Sequence, residues 1–434
     1  MSVSAKIWRP SSAAVTEEEQ TFEVEGQDAT LKIWGQDIHK TVEGELATLD
    51  DELRKLNLDI HGHPELKFEE HYAHDILTRF MREHGFEVEE HFHLPTAWRA
   101  TFSHGQGGRT LGVNSEMDAL PGIGHACGHN LIATAGVAVA LAAAKALQIH
   151  DIPGKVVLLG TPAEEGGSGK ELLLQAGAYD GMDFCVMCHP APGPVNGASL
   201  SSCLAVERLV TEYHGATTHA ALSPWEGRNA QDAAVTAYTS LSMLRQQVKP
   251  SHRIHGIIEG RDWAPNVIPD YAKLTIYARA PSKVEVAELA PRVKSCCAAG
   301  ALASGTSAEY TAPSPPTFDL RQNTALGNVF ADVFRKYYGP IDRIFGISNA
   351  STDFGNVTYA LPGLHPGFSI PTEPLGSNHT ASFTRMAGTP EAHAATMRIA
   401  GALALTGVRA VKDDDFYADV RRTFEEDKKR RDLL

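Results

Sequence analysis

The sequence predicts an α/β protein: a larger domain on a largely parallel sheet, with a smaller α+β unit inserted into it. Three observations carry this expectation. A chain of 434 residues is too long for one ordinary core. Strand-like apolar runs alternate with helical patterns up to about residue 190, which implies a sheet covered on both faces. Between residues 206 and 312 the order becomes strand, helix, strand, strand, helix, strand, the βαββαβ order of a ferredoxin-like unit.

Taken in order, residues 1–40 are polar and aperiodic and read as an extended arm. Leu46, Leu49, Leu53, Leu56 and Ile60 then recur at three- and four-residue steps, an amphipathic helix ending near His61-Gly-His-Pro64. A second helix, from about Glu69 to His84, keeps Tyr72, Ile76, Phe80 and Met81 on one face. Strands follow over FEVEEHFH (86–93), AWRATFS (97–103) and TLGVN (110–114), then an Ala-rich helix after GHACGHN. KVVLLGT (155–161) and FCVMCH (184–189) are the next strands, with a helix between them. In the inserted unit the strands are VERLVTEY, RIHGIIEG, YAKLTIYAR and SAEYT, with helices over about 228–246 and 283–302. The Pro-rich TAPSPPTF (311–318) marks its exit. The predicted domains are an arm (1–40), a main domain (41–205 and 313–434) and the insert (206–312).

Composition narrows the function. At 43% hydrophobic and 21% charged, the chain reads as soluble and globular. Its net charge of −14 argues against a nucleic-acid or anionic-membrane partner. No signal peptide is evident at the N-terminus, and the Ala-rich run near 133–147 is interrupted by Lys145, short of a membrane span. A cytoplasmic location with six reduced cysteines is the expectation.

Ligands collect beyond the C-terminal ends of strands in an open α/β sheet, and four polar clusters fall at such places. TLGVNSEMD leads to Asp118, Cys127 and His129; KVVLLGTPAEE to Glu164 and Glu165; FCVMCH to His189; and GSNHTASF offers His379. One thiol, a carboxylate and three imidazoles suit one or two divalent ions such as Zn²⁺ or Mn²⁺. A thiolate can bridge such a pair. With Glu165 binding metal, Glu164 is left to take a proton from metal-bound water. Competing motifs fail. GGSGK resembles a P-loop ending, but Glu164 stands where the first glycine belongs and Glu171 follows Lys170. There is no G-x-S-x-G elbow, and Cys185-x-x-Cys188 lies inside an apolar strand with no second pair. His63 and Glu65 read as organisers of a helix-to-helix turn, and His125 as a loop stabiliser. His365 is a candidate neighbour of the site. Trp225 and Trp263 are equally readable as pocket or core residues.

IHGHPELKFEE, EMDALPGIGHACGHN, GTPAEEGGSGK, MCHPAPG, HGATTHAALSPWEGRNAQDAAV and NVIPD occur in this order from about residue 60 to 400. Together they resemble the M20 metallopeptidase/amidohydrolase family, subfamily D, with Glu116 before MDALP favouring its dipeptidase-like branch. The resemblance implies a zinc-peptidase-like catalytic domain interrupted by a ferredoxin-like lid through which the chain forms a homodimer. It implies two metal ions held by Cys127, His129, Glu165, His189 and His379, with Glu164 as general base and Asp118 orienting a ligand. It further implies that His219 steadies the oxyanion in the partner's site, and that Asn266 and Arg279 contact substrate. The implied reaction is hydrolysis of an amide bond in an N-acyl amino acid or dipeptide. Amide formation on the same site, or an accessory subunit without catalysis, are the alternatives.

Overall fold

The computed structural model describes residues 36–432 except positions 344, 346 and 348; residues 1–35 of the expected arm lie outside the described residues. Helix α1 (Gln36–Gly62) begins before residue 41, because Ile38 and Val42 continue the spacing of Leu46, Leu49, Leu53, Leu56 and Ile60. All seven are buried. Glu65 then accepts the backbone N–H groups of Tyr72 and Ala73, satisfying two orphan donors in the first turn of α2 (His71–Glu83).

Strands β1 (Glu87–Glu90), β2 (Trp98–His104), β3 (Arg109–Glu116), β4 (Gly154–Thr161), β5 (Phe184–Val186) and a later strand over 363–364 form a six-stranded sheet. Its order is β1-β2-β4-β3-β5 and then the late strand. From β4 onward it is parallel, but β1 and β2 pair antiparallel with their neighbours. The expectation of a largely parallel sheet therefore holds for four of its six strands, and not for β1 and β2. A short loop is all that joins β1 to β2, and a parallel pair needs a long crossover.

Helix α3 (His129–Ile149) follows β3 and is buried almost all round. It approaches β3 closely: a Cβ at Gly136 would meet Ser115 Oγ at 2.2 Å. A late helix, residues 390–412, packs against α3. Both are long and apolar enough to cross a membrane, which the sequence reading did not anticipate, and both are mostly buried within this fold. After β4 come a kinked turn over 164–167 and helix α4 (Gly169–Gln175).

FCVMCH is not one strand. β5 stops at Val186, and β6 (His189–Ala191) joins a separate four-stranded sheet with β7 (Ala198–Ser199) and the late strands over 341–342 and 367–369. Pro190, in β6, cannot donate a ladder hydrogen bond.

The inserted unit has strands β8 (Ala205–His214), β9 (Arg253–Gly260), β10 (Tyr271–Ala280) and β11 (Ser307–Thr311). Their order, β11-β8-β10-β9, is antiparallel throughout. Helices α5 (Ala230–Leu244) and α6 (Lys283–Ser304) bury one face of this sheet through Ala233, Ala237, Leu241, Leu289 and Val293 against Leu274 and Ile276. On the other face the register sets Arg208 and His255 on either side of Tyr277, with Arg279 two residues on. A bridge between Val206 and Thr317 brings the unit's entry and exit side by side.

Candidate active site

Asp118, just beyond β3, organises three elements. Its Oδ1 accepts from His129 Nδ1 at 3.1 Å and from Glu164 N at 3.2 Å, and its Oδ2 accepts from Glu165 N at 2.9 Å. The first bond places a proton of His129 on Nδ1 and leaves Nε2 buried, 3.4 Å from Glu116 Oε2 and making no hydrogen bond. Burial disfavours a charged His129 ring, but Glu116 and Asp118 outweigh it and hold its pKa well above the ordinary value. The surroundings of Nε2 therefore favour positive charge. His189 uses Nδ1 to donate to Pro190 O at 2.8 Å, so its Nε2 is an acceptor, and it pairs with Cys127 Sγ at 3.4 Å. Burial lowers the pKa of this ring to about 4 against the opposing pull of Glu116, so it is neutral.

The ligand-type atoms of Cys127, His129 and His189 lie within 4.8 Å of one another, and so do those of Cys127, Glu165 and His379. His129, Glu164 and Glu165 make a third such group. Cys127, His129 and Glu165 are each common to two of these groups, so the three form one continuous cluster of donors. Burial, reinforced by Glu165, pushes the Cys127 thiol up, so a thiolate here needs adjacent positive charge. The donor set, with His129 Nε2 and Glu165 Oε1 buried and making no hydrogen bond, their nearest charged neighbours being Glu116 Oε2 at 3.4 Å and His379 Nε2 at 3.2 Å, fits a pair of borderline-soft divalent cations.

One pocket of about 410 Å³ gathers Cys127, Glu164, Glu165, His189, His379 and Arg279. His129 and Asp118 stand behind it, fully buried. His219 and Asn266 do not line it. They lie exposed on one loop region of the inserted unit, joined by a bridge between His219 and Val267. His219 Nδ1 accepts from the backbone of Ala221 and Leu222, which leaves Nε2–H as an outward donor. Trp225 and Trp263 are outside the pocket and exposed. His125 is buried with neither ring nitrogen bonded, and His365 is buried beside His189.

Several residues that bear on the site were not anticipated. Lys170, fully buried, places Nζ 2.6 Å from both Glu116 Oε1 and Asp353 Oδ1, so the Glu116, Glu164 and Asp353 carboxylates already surround a resident ammonium. Arg208, His255 and Tyr277 form the pocket's far wall. The one available signal was an arginine in phase with buried Val206 and Val210 along β8.

Glu70 supports the turn that carries Glu164. Its Oε1 accepts from Ala163 N at 2.8 Å, where the backbone is left-handed (φ 60°), and its Oε2 meets Thr96 Oγ1 at 2.6 Å. Burial first, then Asp118, raise its pKa from 4.5 to about 7. A carboxyl raised on folding binds its proton more tightly when folded, so stability falls as pH rises through this interval, by roughly 3 kcal/mol. Glu70→Gln keeps both contacts, since an amide can donate to Thr96. It is expected to flatten the urea-unfolding stability between pH 5 and 7.5; an unchanged slope would refute the assignment.

The model of Peptidase family M20/M25/M40 matches residues 112–399. The Xaa-Arg dipeptidase of Mus musculus is 42% identical over 388 residues, 86% of this chain and 89% of that protein. Its Homo sapiens counterpart is 40% identical over 392 residues, with the same shares covered. Among solved structures, a dinuclear metal-binding peptidase of the M20 family from Bacillus subtilis superposes with a TM-score of 0.63 at 20% identity, covering 84% of this chain and 99% of that one. The motifs, the architecture and these relatives agree that the chain belongs to peptidase family M20/M25/M40, a family of peptidases and amidohydrolases.

Proposed function

We propose that the chain is a metal-dependent dipeptidase or N-acyl amino acid hydrolase in which Glu164 is the general base. The observation that carries this reading is the continuous cluster of donor groups linked through Cys127, His129 and Glu165, with Glu164 in the same pocket. Cys127, His129, Glu165, His189 and His379 would hold two divalent ions, Zn²⁺ or Mn²⁺ by the nature of the donors. When bound, such ions supply Lewis acidity toward water and the scissile carbonyl. Glu164 takes the proton of the attacking water and returns it to the departing amine. Burial, then Glu116, Glu165 and Asp353, push its carboxyl well above the ordinary value, which makes it a stronger proton acceptor. Asp118 keeps Glu164, Glu165 and His129 in mutual register through the three hydrogen bonds described above.

The reading includes a homodimer. His219 stands away from its own chain's pocket, so its Nε2–H serves as oxyanion donor only in the site of a second copy, with Asn266 brought along on the same loop region. The relatives named Xaa-Arg dipeptidase support a small peptide with a C-terminal basic residue as one substrate class.

The test is release of free amino acid from a panel of Xaa-Arg and other dipeptides and N-acyl amino acids by the metal-loaded full chain. Release is expected from some members, with a loss of at least about 10²-fold on chelation and recovery with Zn²⁺ or Mn²⁺. No release from any member, with metal content verified, would overturn hydrolysis in favour of amide formation or an accessory role.

A further inference from the structure

The inserted sheet has two faces, and the pocket around Glu164 uses only the helix-free one. On the helix-covered side, β8 lacks a neighbouring strand for part of its length. β11 pairs with it only as far as Thr311, opposite Val210, and the chain meets β8 again at Thr317, which bridges Val206. Between these points stand Pro313, Pro315 and Pro316, which have no N–H to give to a ladder. Residues 207–209 are left as an open edge, and beside it a groove of about 280 Å³ lies between β8, β10 and α6. The register builds one wall: Glu207 stands opposite Ala278 and Leu209 opposite Ile276, on the face that α6 covers. Ala287, Ala290, Pro291 and Lys294 form the other, a single stripe along α6. The short side chains of Ala278, Ala287 and Ala290 leave the space between these walls unfilled.

Two acceptors border this apolar space without donors. The Glu207 carboxylate is half-buried, and among the described residues no group donates to it or pairs with it. Burial alone raises its pKa, with no neighbouring charge contributing. Lys294, on the same groove, lies over the Tyr310 ring instead, with Nζ 4.9 Å from its centroid. The second acceptor is the Ala287 carbonyl. Four residues further on stands Pro291, inside the helix, which has no N–H to complete the helical bond. A desolvated carboxylate without a donor is costly, so the groove is complementary to a cationic group with several N–H bonds carried on an apolar body.

We propose that this groove is a second ligand site, which takes a small primary amine with an apolar body. The ammonium donates to the Glu207 carboxylate and the Ala287 carbonyl, and the body lies against Leu209, Ala287 and Ala290. An ammonium suits the site because its three N–H donors can serve acceptors on two different elements at once. A volume of about 280 Å³ suits a ligand of the size of an aralkylamine and little more. The site goes beyond the hydrolytic reading and does not depend on it, since none of its residues belongs to the pocket around Glu164.

The probe is 2-phenylethylammonium, titrated by calorimetry into the metal-loaded full chain, with 2-phenylethanol as its uncharged analogue. Wild type is expected to bind the amine saturably and the alcohol at least about 10-fold more weakly, the loss that follows removal of a charge-assisted hydrogen bond. Glu207→Gln should weaken the amine by at least about 10-fold and erase its advantage over the alcohol. Ala290→Leu, which fills the groove and remains a strong helix former, should abolish binding of both. In methyl-labelled wild type, nuclear Overhauser contacts from the bound ring should reach Leu209, Ala287 and Ala290. Amine binding that persists unchanged in both variants belongs to another part of the molecule, such as the acidic wall of the catalytic pocket, and overturns the proposal. An absence of saturable binding at millimolar amine also overturns it, and so does equal affinity for amine and alcohol, since Glu207 then has no part. Melting curves identify a variant that does not fold. The wild-type contacts then decide: those to Leu209, Ala287 and Ala290 support the site, and contacts elsewhere overturn it.

Discussion

Lys170→Met is expected to lower the stability of the chain by about 3–5 kcal/mol, because it breaks a buried ion cluster by removing one sign of charge. Lys170, Glu116 and Asp353 are all fully buried or nearly so, and the ammonium is bonded at 2.6 Å to both acids. Asp353 Oδ2 also accepts from Lys170 N at 2.8 Å, so the cluster pins the start of α4 to the segment around residue 353 and to the end of β3. A midpoint shift in urea unfolding reads the loss. Its pH dependence separates charge from packing. Burial alone would raise the Glu116 carboxyl, but Lys170 and then His129 outweigh it and hold it well below its ordinary 4.5. A carboxyl lowered on folding contributes stability that is present above pH 4.5 and lost as the pH falls toward the folded value. Without Lys170, burial governs, the shift reverses, and the variant loses stability as pH rises. The gap between wild type and variant is therefore expected to be widest near pH 8 and to narrow toward pH 5. A gap independent of pH would mean that the lysine stem packs and its charge is immaterial.

This cluster also marks where the sequence stops being informative. Glu164 and Glu165 were legible because they follow the end of β4 within a few residues, and such strand ends gather ligands in an α/β sheet; Cys127 and His129 lie further along the loop after β3, His379 in a loop well beyond the strand over 367–369, and all were picked out by residue type. The inserted unit was legible because its order of elements is distinctive and its strands alternate cleanly, as in β10, where even-numbered positions are buried and odd ones are not. Lys170 offered no such handle. Its partners lie 54 and 183 residues away, and its GGSGK context offered only a P-loop resemblance that fails on inspection. His189 was placed by chemistry, yet the strand carrying it breaks at Met187 and Cys188 and changes sheet, which an apolar run cannot reveal.

Glu164→Gln is expected to lower kcat by about 10²- to 10⁴-fold with little change in KM, the loss that follows removal of a general base. The substitution keeps volume and hydrogen-bonding capacity, so the turn over 164–167 should be retained, and Asp118 should still accept from the backbone of residues 164 and 165. One other role is open to Glu164 on geometric grounds, because its carboxylate groups with His129 and Glu165 as closely as the expected ligands group with each other. Kinetics alone cannot separate base from ligand, since losing either would stop turnover. Metal content can. If Glu164 is the base, the variant should keep two ions per chain after dialysis against metal-free buffer, as measured by elemental analysis. If it is a ligand, affinity for one ion should fall and the count should drop toward one. A control at the neighbouring position fixes the scale: Glu165→Gln, which alters the carboxylate whose Oε1 stands 3.2 Å from His379 Nε2, should lose metal and activity together. Full metal content in Glu165→Gln and loss in Glu164→Gln would exchange the two roles and require that the base be sought in Glu165.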